Sequence, residues 1–149
     1  GSGPGTITAD LHRVPPAHDQ TGAGIPASQI ALVDEYDGDV AHHDNAAAVV
    51  EAMGDHGVAL LAHHGVFVTG RSANHVLHRA IALEWRCRQA WHVDAIDPTT
   101  RPMDPEVAER FGKILDDFGG MPNQWEAMAR RQMRRDPSLL LSEPAGRSW

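Results

Sequence analysis

The run Val58-Ala59-Leu60-Leu61-Ala62 contains no polar side chain, and this constrains the fold more than any other feature of the chain. Side chains alternate between the two faces of a strand, so an unbroken apolar run buries both. Such a strand belongs inside a sheet that is covered on each side. Gly65 interrupts the run, and Val66-Phe67-Val68-Thr69 resumes as a second strand. Gln29-Ile30-Ala31-Leu32-Val33 is a third, followed by turn chemistry at Asp34–Gly38. The Ala-rich segment Asn45–Met53 predicts a helix between them, with Asp44 as its cap and Gly54 as its left-handed stop. Strands this apolar need more neighbours than three strands provide. The expectation is a partial α/β domain whose amino-terminal portion is missing and supplied upstream or by another subunit.

Downstream, Ser72 opens the longest helix, to about Val93, with Val76, Leu77, Ala80, Ile81, Leu83, Cys87 and Trp91 as its apolar stripe. Asp104-Pro105 has the cap-then-proline order of a helix start, and Gly119-Gly120 ends that helix. A last helix spans Pro122 to Arg135. Residues 1–27, with Pro15, Pro16 and Pro26, read as a flexible arm or linker. The organised domain is then 28–137, and 138–149 is a loose tail. The start, Gly1-Ser2-Gly3-Pro4-Gly5, is no signal peptide, and no apolar run reaches the length of a membrane span.

A formal charge of −7 argues against nucleic acid or an anionic membrane as partner, since both select basic surfaces. The Arg130-Arg131 and Arg134-Arg135 pairs read as a solvated helix face. Cys87 is the single cysteine, so no internal disulfide forms, and a cytoplasmic location is expected. Its helical, apolar setting predicts a buried, inert thiol.

Ten histidines raise the question of a metal. The strongest candidates are His63 and His64, delivered by a strand to a glycine turn. Strand alternation lets one of them face a given site, and a strand end is a rigid mount for an imidazole ligand. A catalytic zinc takes three protein ligands, so this pair alone is no site. His75 and His78 share a helical face but read as exposed polarity. His12 and His18 carry no signal. Tyr36 reads as a packed turn residue, and the tryptophans Trp85, Trp91 and Trp125 as packing for helices against the sheet or a neighbouring subunit. Glu84, inside an apolar stripe, is either a partner near the site or one half of an ion pair with Arg79 or Arg88.

Leu60-Leu61-Ala62-His63-His64-Gly65-Val66-Phe67-Val68-Thr69-Gly70 resembles the "LL-x-NHG" signature of the class II aldolase/adducin family. Ala80–Cys87 is similar to that family's "LE-x-x-C" helix, and Ile30–Gly38 to its "IALYDEYDG" strand and turn. The order and spacing agree, over roughly residues 12–95. The resemblance implies a layered α/β/α class II aldolase/adducin-like domain, here its carboxy-terminal half. It implies a metal-dependent lyase acting on a small hydroxy-carbonyl substrate by aldol, retro-aldol or related chemistry. His64 would be a ligand to a divalent metal, zinc first, with iron or manganese as alternatives. The family's Asn is replaced by His63. Its His-x-His ligand pair and its acid/base Glu have no counterpart in this sequence. The resemblance further implies a homo-oligomer, a tetramer in many members, or a complementing amino-terminal half. The rival expectation is a non-catalytic assembly domain, as in adducin-like members.

Overall fold

A computed structural model describes residues 13–33 and 43–140. Three strands, β1 (Ile30–Val33), β2 (Val58–Leu61) and β3 (Gly65–Val68), form one sheet in that order. β1 and β2 are parallel, with Ile30 opposite Val58. That pairing requires a crossover, and α1 (His43–Met53) lies within it. β3 returns antiparallel to β2, with Val58 opposite Val68. The remaining helices are α2 (Ala73–Ile96), α3 (Pro105–Phe118) and α4 (Gln124–Arg135).

The sheet is covered on both faces, and alternation assigns its residues. Ala31, Val33, Ala59 and Leu61 pack with Val49 and Met53 of α1. Ile30, Val58 and Leu60 pack with Ile25 and with Ala82, Leu83 and Cys87 of α2. All of β2 is buried, as its unbroken apolar run requires. β3 is an edge, and its Val66 and Phe67 are exposed.

The helix ends follow local chemistry. Ser72 Oγ accepts the His75 N–H at 3.1 Å. Asp104 Oδ1 accepts from Glu106 and Val107 at 3.0 and 3.1 Å, with Pro105 in the first turn. Gly54 and Gly119 stop α1 and α3 with φ of +51° and +73°. α4 starts later than Pro122 because Asn123 is left-handed, φ +61°. α1 starts earlier than expected, so Asp44 lies inside it rather than capping it.

The arm departs most from expectation. Arg13–Ala27 contains no strand or α-helix, yet it is packed, not flexible: Pro15, Ala17, Ala23, Ile25 and Pro26 are buried. It lies between α2 and α3. Where α3 crosses it, a Cβ on Gly112 would come within 2.6 Å of Pro26 N and 2.8 Å of Ala23 O. A buried segment without a ladder must have its backbone satisfied by other groups. Arg86 Nη1 donates to the Ile25 carbonyl at 2.9 Å, and His78 Nε2 meets the Gly24 carbonyl at 2.8 Å. The Ala17 carbonyl accepts the Met103 N–H at 2.9 Å, and Trp85 Nε1 donates to Asp19 Oδ2 at 2.7 Å.

Arg86 accordingly belongs to the buried face of α2. That face comprises His75, Arg79, Ala82, Leu83, Arg86, Cys87 and Ala90. Ile81 and Trp91, expected in the apolar stripe, are exposed. Trp85 and Trp125 are likewise exposed rather than packed against the sheet. Among the described residues no helix is long and apolar enough to cross a membrane.

Candidate functional site

In open α/β sheets, ligands gather outside the carboxyl ends of parallel strands. Here that edge lies just past Val33 and Leu61, and the histidine turn stands on it. Ala62 N–H continues the ladder to the Val33 carbonyl at 3.0 Å, and His64 N–H closes a tight turn on the Leu61 carbonyl at 3.1 Å. His63 takes the left-handed conformation the turn needs, with φ +59°. Asn, Asp and His are the residues besides glycine found most readily there. Replacement of Asn by His63 therefore keeps a residue suited to the bend. Both histidines are exposed. They sit in the turn, not along the strand, so strand alternation does not separate them.

The other sequence candidates are dispersed. Glu84 lies on the exposed face of α2, 3.5 Å from Arg88 Nη2 one turn on. Cys87 is fully buried. Tyr36 and His12 lie outside the described residues. Among the described residues no three His, Cys, Asp or Glu side chains come together to hold a metal. One imidazole from His64 does not make a metal site, so the described residues do not fit a metal by themselves.

A second polar cluster stands elsewhere. His75, Arg79 and Asp116 are all buried. Arg79 grips Asp116 with two parallel bonds, Nε to Oδ1 at 2.7 Å and Nη2 to Oδ2 at 2.6 Å. Its Nη1 donates to the Thr69 carbonyl at 2.8 Å. His75 Nε2 lies 2.9 Å from Asp116 Oδ1, while its Nδ1 accepts the Arg71 N–H at 3.5 Å. With Nδ1 accepting, Nε2 is the nitrogen that donates to Asp116. Burial would raise the Asp116 pKa, but hydrogen bonds from Arg79 and His75 outweigh it and hold the carboxyl below its ordinary value. The cluster joins the amino end of α2, the end of β3 and the carboxyl end of α3.

His75 and His78 are thus not an exposed pair, and they point to different partners. The sequence could not pair His75 with Asp116, because the two lie 41 positions apart with no motif between them. Gly120 gives a hint of the close approach: a Cβ there would lie 2.6 Å from His78 Cβ.

Residues 4–91 match the family described as "Class II Aldolase and Adducin N-terminal domain". Among solved structures, the chain is similar to an aldolase II superfamily protein from Pseudomonas syringae at 19% identity and a TM-score of 0.73, covering 91% of this chain and 55% of that one. It is also similar to L-fuculose 1-phosphate aldolase from Glaciozyma antarctica at 20% identity and a TM-score of 0.62, covering 79% and 45%. At such identities the likeness is one of fold. The chain spans about half the length of each. A search of curated proteins gives no match.

Proposed function

Because this chain belongs to the class II aldolase and adducin family, we propose that it is part of a metal-dependent lyase that cleaves or forms a carbon–carbon bond in a small hydroxy-carbonyl compound. The observation that carries this reading is the mounting of His64. A fully buried strand and a left-handed His63 fix its backbone at the carboxyl edge of the parallel pair, where ligands of such sheets gather. The name of the Glaciozyma antarctica relative, a sugar-phosphate aldolase, supports the substrate class. The further metal ligands and the acid/base group would come from residues outside those described or from another subunit, and no catalytic step follows from the described residues alone.

A second reading has its own observation. Phe118, Met121, Trp125 and Met128 are exposed along α3, α4 and the link between them, and this apolar surface suits a non-catalytic assembly domain. Metal content per chain separates the two. Near-stoichiometric zinc, iron or manganese, lost in His64→Ala, is the expected result for the lyase. A folded chain that binds no metal even with the complementing amino-terminal portion supplied, or that binds it equally well as His64→Ala, would overturn the lyase and leave assembly.

A further inference from the structure

α3 buries its small and polar side. Ala108, Gly112 and Asp116, each one turn from the next, face the arm and α2. Its large apolar residues lie elsewhere on the helix: Val107, Ile114 and Phe118 are 42%, 52% and 77% exposed. At about 100° of turn per residue, positions i, i+7 and i+11 fall within roughly 40° of one another. The three residues therefore form one stripe along the outward side. A helix of a soluble domain ordinarily turns such a stripe toward the core, and an apolar stripe left outside marks a surface that another body covers.

Two charges run beside the stripe. Arg110 and Asp117 are both exposed, and their spacing of seven puts them on one line, to the same side of Ile114. Arg110 lies toward the amino end of α3 and Asp117 toward its carboxyl end. Suppose a second α3 is generated by a two-fold axis passing beside Ile114. It runs antiparallel, and residues whose numbers average 114 come opposite each other. Ile114 then meets its own copy. Arg110 of each helix comes beside Asp117 of the other, so two opposite-charge pairs lie along one rim. A parallel contact would set Arg110 against Arg110 and Asp117 against Asp117. Antiparallel helices also place opposite ends of their dipoles together.

We propose that α3 docks on α3 of a second copy of this chain, antiparallel about a two-fold axis near Ile114, covering Val107, Ile114 and Phe118 and pairing each Arg110 with the second copy's Asp117. The contact is isologous, so one patch serves both sides and the assembly closes. A portion of the fold that completes the sheet joins at the sheet's edges, whereas this stripe faces away from the sheet, across the arm and α2. The contact uses neither His64 nor a metal, so it stands or falls apart from the lyase.

The test is sedimentation equilibrium of the full chain and four variants, with circular dichroism to confirm the fold of each. Ile114 is half exposed, so Ile114→Glu leaves the core intact and should abolish the two-fold association. Arg110→Glu and Asp117→Arg should each weaken it by about tenfold or more, since each sets like charges together twice. The combined variant Arg110→Glu/Asp117→Arg exchanges the signs and should return to within about threefold of the parent. A parent chain that stays monomeric at about 100 μM, association unchanged in Ile114→Glu, or charge reversals that fail to rescue each other would overturn the proposal.

Discussion

Asp116 answers two buried groups, His75 and Arg79. Replacing it with Asn keeps the shape but removes the charge, leaving a buried guanidinium without its partner. Such breaks cost about 3–5 kcal/mol. Urea unfolding of Asp116→Asn should show a loss on this scale, and a loss below about 1 kcal/mol would mean water already screens the pair. The pH dependence has a definite sign. The folded carboxyl titrates below the ordinary aspartate value of 3.8. Its contribution is therefore fully present above that value and is lost as pH falls from 3.8 through the lower folded pKa. Stability of the parent chain should drop over that window, and Asp116→Asn should lack that component. None of this was legible in the sequence, where His75 and Arg79 mark only one face of α2 and Asp116 looks like any helical aspartate. The cap residues Ser72 and Asp104 were legible, because their partners lie two or three positions away. The mounting of His63 and His64 was partly so: the glycine announced a turn, but its left-handed residue is His63.

Elements meet here through small residues and single staples. Gly112 lets α3 lie backbone to backbone on the arm. Helix propensity alone predicts that Gly112→Ala stabilises by up to about 1 kcal/mol. The added methyl would instead meet Pro26 and Ala23 backbone atoms, and overpacking of that kind costs about 1–3 kcal/mol. We expect net destabilisation in chemical denaturation, and a stabilised variant would show that the arm yields easily. α4 depends on a different device. It has no buried residue, and Asn74 ties its start: Oδ1 accepts the Trp125 N–H at 3.0 Å, while Nδ2 donates to the Gly119 and Met121 carbonyls at 2.9 and 3.1 Å. Asn74→Ala should accelerate amide exchange throughout α4 while β2 keeps its protection. Equal acceleration in both would mean the residue supports the whole domain. Composition and end signals located α1, α3 and α4, while apolar patterning located the three described strands and α2. That patterning misassigned the buried face of α2, because a helix that serves an irregular neighbour must bury polar side chains, and a pattern reading treats polarity as exposure.

Among the described residues the sheet lies between α1 and α2, and the arm and α3 add a fourth layer over α2. Prolines and glycines gave the arm the composition of a linker, and composition cannot show that Arg86 and His78 are waiting to satisfy its backbone and Trp85 the side chain of Asp19. That arrangement has a consequence for proteolysis. A protease needs backbone that can leave its surroundings, and linker-like sequence is ordinarily where it cuts first. Residues 14–26 can leave only when α2 and α3 separate. Nicking there should therefore follow global unfolding and slow in step with added stability, and mass spectrometry of thermolysin fragments at rising urea would show it. Cutting at the arm in the absence of urea, ahead of the Asp97–Asp104 loop, would instead mean that the arm opens on its own. A stretch that reads as the most dispensable part of the chain would then be among the last to yield.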